Sequence, residues 1–304
     1  DGKRMSFFKA VVGGYSVGTP GLVHMMEAAH KREGKLPWAK LFEPAIATAE
    51  NGFELSPRLH KLLVKMPAVA VREPITQYFF DGNKKPLAVG HLLKNPEYAV
   101  TLRAIAKEGS KVFYEGEIAE AIVDAVRNDP GLPGKLSLVD LKNYQTKIRT
   151  PVCGEFMQYT ACGAAPPSSG GITVLSILGI LEALGVDKMA PNSRGFVHSF
   201  AEASKMAFAD RNHFIGDGDF VDVPVQALID KAYLKNRAQA FKEDAVTHIY
   251  EHGEPMMMAR LSTESPELPS TSHFSIVDAE GNSVSMTTTI ETGFGSRIFV
   301  KGFL

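Results

Sequence analysis

The amino-acid sequence predicts an α+β fold, a mostly helical body followed by a β-hairpin. The first 250 residues or so read as mainly helical with few strands: polar N-caps precede proline, apolar residues recur at helical spacing and glycines act as stops. Beyond the polar, proline-bearing stretch Glu264-Ser265-Pro266-Glu267-Leu268-Pro269, the period changes to two. Residues 272–278 and 283–290 alternate as strands do, and Ala279-Glu280-Gly281-Asn282 between them is a turn. With 304 residues, 44% apolar and 22% charged, the chain can bury a sizeable core as one large domain or two closely packed ones.

The first predicted helix starts with Thr19 as N-cap and Pro20 at the first helical position, and stops at Gly34. Asn95-Pro96 to Gly109 repeats the pattern, and Glu115 to Val126 carries Ile118, Ile122, Val123 and Val126 on one face. Ser137-Leu138-Val139-Asp140 reads as a capping box opening a short helix. Arg149 to Ala161 reads as one extended segment. Ala165-Pro166-Pro167-Ser168-Ser169-Gly170-Gly171 is expected to be irregular, because its prolines lack amide donors and its glycines accept unusual dihedrals. It leads into an apolar helix from Ile172 to Leu184, closed by Gly185. A second long helix, Ser193 to Asn212, presents Phe196, Phe200, Ala203, Ala207 and Phe208 near helical spacing. There is no internal repeat and no low-complexity tract.

Composition excludes some classes of function. With 33 basic and 34 acidic residues the net charge is −1, which offers no footprint for nucleic acid or an anionic membrane. A small-molecule or peptide substrate fits better. No apolar run approaches the roughly 20 residues that span a bilayer, and Asp1-Gly2-Lys3-Arg4 is not a signal peptide. Without an initiating Met the true start is expected upstream. Cys153 and Cys162 could close one disulfide but read as two buried thiols, which leaves the compartment open. No His or Asp accompanies them at ligand spacing, so neither a metal nor an organic cofactor is expected.

One junction carries chemistry. A hydroxyl nucleophile needs a base within reach, and the free amine of an N-terminal Thr is one solution. An internal Thr acquires that amine only if the chain is cut just before it. At Ser270-Thr271 a linker runs into the first residue of a strand, so the linker exposes the bond and the strand fixes the hydroxyl. On pattern alone this is an ordinary linker-to-strand junction.

The surrounding residues add to it. Thr271 to Asn282, followed by Val284, Thr287-Thr288-Thr289-Ile290 and Phe294-Gly295-Ser296, resembles the segment that opens the small subunit of γ-glutamyltranspeptidases. Gly18-Thr19-Pro20-Gly21, Leu36-Pro37-Trp38, Leu41 to Ile46, Phe113-Tyr114-Glu115-Gly116, Pro166 to Gly171 and Ala209-Asp210-Arg211 agree in order. The resemblance covers nearly the whole chain. It implies the αββα sandwich of N-terminal-nucleophile hydrolases, with residues 1–270 as large-subunit part (linker about 260–270) and 271–304 as the start of the small subunit. It further implies self-cleavage: the Thr271 hydroxyl attacks the Ser270 carbonyl, and water hydrolyses the resulting ester. The freed amine then serves as base while Thr271 forms an acyl-enzyme from a γ-glutamyl amide, resolved by water or an acceptor amine. The product would be a large/small subunit heterodimer, periplasmic or extracellular.

By the same resemblance Thr289 hydrogen-bonds the nucleophile, and Ser272 and Glu291 are substrate-binding candidates. His273 is given a packing role, since the α-amine supplies the base and alternation turns His273 away from Ser272. Pro166 to Gly171 resembles a loop near the active site, and no Lys follows it in a phosphate-binding pattern. Glu291 stands where family members usually carry an asparagine that holds the donor ammonium. A carboxylate can hold an ammonium at least as strongly, or can announce another acyl group, such as a β-lactam side chain. The family's donor-binding arginine lies upstream of this chain, and its acidic motif, serine pair and Gly-Gly oxyanion hole lie beyond Leu304. The chain alone is therefore expected to be a poor catalyst. An uncleaved binding or scaffold homologue is the reading from another class.

Overall fold

A computed structural model of the chain describes residues 5–66, 72–255 and 271–304. The chain divides into two compact units, Asp1–Thr146 with Glu267–Leu304, and Lys147–Pro266. The expected linker, with Ser270, and residues 1–4, with Arg4, lie outside the described residues.

The first unit is built on helices whose apolar spacing is the one the sequence predicts. Pro96–Glu108 buries Ala99, Leu102 and Ile105, and Glu117–Arg127 buries Ile118, Ile122 and Val126. Each turn thus presents one face to a common core with Phe113, Tyr114 and Leu141. A second cluster joins Leu55, Leu63, Ile75, Phe79 and Phe294. The C-terminal tail is drawn into both, with Phe303 packed against the first and Phe299 and Leu304 against the second. Asn95 ties the tail to a helix start: its Oδ1 accepts from Tyr98 N at 2.9 Å while its Nδ2 donates to Gly302 O at 2.7 Å. Only glycine fits at 302, where φ is +83° and a Cβ would stand 2.3 Å from Tyr98 N.

The helix expected to start at Thr19-Pro20 instead spans Leu22–Glu33, with Gly21 as N-cap and no side-chain cap from its own neighbours. The cap comes from far along the chain. The Tyr114 hydroxyl accepts from His24 N at 3.2 Å and donates to Pro20 O at 2.7 Å. Pro20 is thereby held outside the helix, and one of the orphan amides of the first turn is satisfied. Tyr144 stacks on Tyr114 with rings 5.8 Å apart and 5° from parallel. Burial pushes the Tyr114 phenol up to about 12, so it stays a neutral donor. The capping box at Ser137 and Asp140 forms as expected, opening Leu138–Lys142.

In the second unit the stretch expected to be one extended segment is a hairpin, Val152–Phe156 with Tyr159–Gly163. Its register sets Cys153 opposite Cys162, and the two form a disulfide. This corrects the expectation of two buried thiols. Both residues are exposed, and the turn at Met157 folds back a segment whose alternation alone looked continuous. The next helix also starts earlier than expected, at Gly170, and runs to Ala183. Both glycines are inside it. A Cβ on Gly171 would lie 2.5 Å from Ala164 O, so the helix enters only because its first turn has no side chain against the preceding strand.

The long helix Arg194–Phe214 buries Ala203, Met206 and Ala207 as its period requires, but Phe200 and Phe208 are exposed. Glu202 and Asp210 take inward positions instead. Glu202 accepts from Lys205 Nζ, Tyr250 Oη and Thr247 N, and Asp210 accepts from Tyr233 Oη and Gly253 N. Burial raises the Glu202 carboxyl, but those donors outweigh it and hold the group below its usual range.

Candidate active site

The hairpin Thr271–Val277 with Ser283–Thr289 pairs in register, Thr271 opposite Thr289, His273 opposite Thr287 and Ser275 opposite Ser285. Because side chains alternate, these residues share one face, while Ser272, Phe274, Ile276, Val284 and Met286 share the other. Thr271 and Thr289 are thus brought together, and Ser272 is set with Thr288 on the far side. His273 is exposed rather than packed, which corrects the packing role expected for it. Its Nδ1 lies 2.7 Å from Thr287 Oγ1 and its Nε2 lies 3.2 Å from Ser275 Oγ and 3.3 Å from Ser285 Oγ. Alternation gives only its direction relative to Ser272. The cross-strand hydroxyls, legible as Ser and Thr at every second position, were the missed signal.

Past Thr289 the backbone becomes unusual. Glu291, Phe294, Arg297 and Lys301 all have positive φ, between 50° and 73°, although none is glycine. Such dihedrals persist only where the surroundings over-determine them, and they cluster at functional sites. Glu291 N donates to Thr289 Oγ1 at 2.9 Å, so the turn and the strand end are fixed together. The buried ring of Phe294, against Phe79 at 5.6 Å, anchors the other side.

This turn forms one wall of a cavity of about 470 Å³ within the first unit. Thr289, Ile290, Glu291 and Ser296 line it together with Ser16, Gly18, Thr19, Pro20 and Gly21. Glu291 is the only charged side chain among its described lining residues. A Cβ on Gly21 would stand 2.1 Å from the Tyr144 hydroxyl, so a larger residue there would displace the Tyr144 ring. The cavity is large enough for a small molecule; its lining is mostly apolar, with Ile122, Val126, Ile298 and Phe303 among it, and the hydroxyls of Ser16, Thr19, Thr289 and Ser296 and one carboxylate supply the polar groups. Thr271 is not itself a lining residue, but its ladder partner Thr289 is. Sequence reasoning named Gly18 to Gly21 without a role, and Ser16 not at all. No group of three potential metal ligands occurs among the described residues, and no described helix is long and apolar enough to cross a membrane.

Comparison with known proteins agrees over the whole chain. The family model for gamma-glutamyltranspeptidase matches residues 1–304. The glutathione hydrolase proenzyme of Pseudomonas aeruginosa is 38% identical over 296 residues, covering 96% of this chain and 50% of the relative. The chain spans about half the length of the curated relatives it matches. Among solved structures, the γ-glutamyltranspeptidase of Helicobacter pylori superimposes with a TM-score of 0.76 at 33% identity, covering 81% of this chain and 71% of that one. The cephalosporin acylase of Bacillus halodurans gives 0.80 at 25% identity, over 96% of this chain and 52% of that one. An α+β chain with a threonine-led hairpin, matched from end to end, is thereby placed: it belongs to the γ-glutamyltranspeptidase family of N-terminal-nucleophile hydrolases.

Proposed function

We propose that this chain carries the nucleophile of an enzyme that cleaves γ-glutamyl amides of the glutathione type, with Thr271 as that nucleophile. The observation that supports it best is the pairing of Thr271 with Thr289 at the end of a hairpin whose next turn, through Glu291, walls a cavity. In this reading the precursor cuts itself between Ser270 and Thr271, and residues 1–270 and 271–304 belong to the large and small subunits of a heterodimer. The Thr271 amine takes the proton of its own hydroxyl, and the alkoxide attacks the amide carbon. The leaving amine departs protonated, and the acyl-enzyme passes to water or to an acceptor amine. Thr289 orients the hydroxyl. Glu291 holds the donor ammonium by a charge-assisted hydrogen bond, the stronger kind. The hairpin is one layer edge of an αββα sandwich. Export to the periplasm or cell exterior is supported by the exposed Cys153–Cys162 disulfide, since such bonds persist in oxidising compartments.

The full-length protein should release amine from a γ-glutamyl anilide, and Thr271→Ala should lower kcat by roughly a thousandfold or more. Retention of activity in Thr271→Ala would remove the mechanism. A second reading, an acylase acting on another amide, is favoured by the carboxylate at 291 and by the likeness to the cephalosporin acylase. A panel of acyl anilides separates the two. In the first reading Glu291→Gln weakens donors bearing an α-ammonium by about tenfold to a hundredfold and leaves donors without one unchanged. Equal effects on both kinds of donor would favour the acylase.

A further inference from the structure

Tyr114 and Tyr144 are not among the residues that line the cavity, yet both grip one wall of it. That wall is Thr19-Pro20-Gly21, which shares the lining with Glu291 and leads into the helix Leu22–Glu33. Pro20 has no amide hydrogen, so its carbonyl is the one backbone group through which it can be hydrogen-bonded. That carbonyl accepts from Tyr114 Oη at 2.7 Å, and the same Oη accepts from His24 N at 3.2 Å. A phenol carries one hydrogen, so the two bonds have fixed directions, one given and one taken. Their backbone partners lie before and after Gly21 and set the angle at which the wall meets the helix.

The ring that makes these bonds is itself held. Tyr114 is 5% exposed, ends the short helix Lys111–Tyr114 and packs edge-on against Phe113 at 5.1 Å. Tyr144 lies flat against it, with its own hydroxyl where a side chain on Gly21 would begin. The His24 ring meets the two tyrosines edge-on at 5.8 and 5.9 Å, and its Nδ1 lies 2.8 Å from Thr146 Oγ1. One turn further along the helix, Glu27 accepts from Ser110 N and Ser110 Oγ at 3.2 and 2.7 Å, just before the turn that carries Tyr114. Wall, helix and tyrosine turn are thus fixed to one another by contacts within the first unit.

We propose that Tyr114, backed by Tyr144, is a positioning residue for substrate binding: it stands behind the Thr19-Pro20-Gly21 wall and sets it in place for the acyl donor. This rests on the reading that the cavity takes the donor. A site binds more tightly when its walls are ordered before the ligand arrives, because folding has already met the ordering cost. Without the phenol hydroxyl, Pro20 O and His24 N lose their common partner, and the donor must order the wall as it binds. Thr271 and Thr289 stand on a hairpin whose register is set by the pairing of its own two strands. The loss therefore falls on binding and not on the chemical step.

The test compares full-length wild type, Tyr114→Phe and Ser56→Ala. Ser56 caps a different helix, Pro57–Lys65, by accepting from Leu59 N at 3.1 Å, so its loss loosens the same unit without touching the wall. Kinetics are read well below the melting temperature of all three, on the acyl anilide that the wild type cleaves best. Tyr114→Phe is expected to raise KM about fivefold to tenfold with kcat within about twofold of wild type. Ser56→Ala should leave both constants unchanged. With an active wild type, an unchanged KM in Tyr114→Phe, a fall in kcat as large as the rise in KM, or an equal rise in Ser56→Ala would overturn the proposal alone. A wild type that cleaves other acyl anilides but no γ-glutamyl one contradicts only the substrate reading, since KM is then compared on the anilide it does cleave. A wild type inactive on every anilide removes the reading and the proposal together.

Discussion

Thr271 and Thr289 face one another because a seven-residue strand pairs with another without a bulge, so one residue of slip would turn both hydroxyls to the apolar face. Register therefore fixes the direction of the Thr271 hydroxyl, as the proposed nucleophile requires. Glu291 depends on a different device, its own left-handed backbone two residues past the strand end. Asparagine accepts that conformation more readily than glutamate does. Glu291→Asn is thus expected to keep or slightly raise stability while weakening ammonium-bearing donors, measured as a rise in KM at unchanged melting temperature. A fall in stability with unchanged KM would show that the carboxylate supports the turn and not the donor. At this scale the sequence was readable where position follows residue pattern: the strand period already sets Thr271 and Thr289 on the terminal hairpin that the structure pairs. It was not readable where backbone geometry decides, as at Arg297, whose burial no pattern announces.

Elements held together by distant side chains are the ones whose boundaries moved. The capping of Leu22–Glu33 by Tyr114 joins residues ninety positions apart, and no local motif encodes it. Tyr114→Phe, which keeps the ring and its stacking, should destabilise the first unit by about 1–2 kcal/mol through the lost cap, measured by denaturant unfolding. The capping box at Ser137 and Asp140, by contrast, is closed by residues three apart and was legible. Cys153 and Cys162 show the same division. Their spacing of nine is readable, but whether they face each other depends on a turn at Met157 that the alternation did not mark. Replacing both by serine should cost about 2–3 kcal/mol by the loop-entropy argument. The loss should appear in the unfolding of the second unit, where the hairpin lies.

At the scale of the whole molecule, the cut proposed before Thr271 does not follow the compact units. Residues after it belong to the same unit as those up to Thr146, with Phe294 in a core beside Leu63 and Phe79, and with Gly302 and Lys301 held by Asn95 and Thr101. The two pieces are therefore expected to stay together under native conditions and to separate only in denaturant, which size-exclusion chromatography with and without guanidinium checks. The interleaving was hidden from a linear reading, because a proline-bearing linker looks like a boundary whichever unit the chain then joins. The helical body and the terminal hairpin were legible from period alone. The most direct test of the central claim is the new N-terminus of the full-length protein after purification. Mass spectrometry and N-terminal sequencing should find a small fragment beginning at Thr271, absent in Thr271→Ala. An intact, uncut chain with full amidase activity would contradict the account.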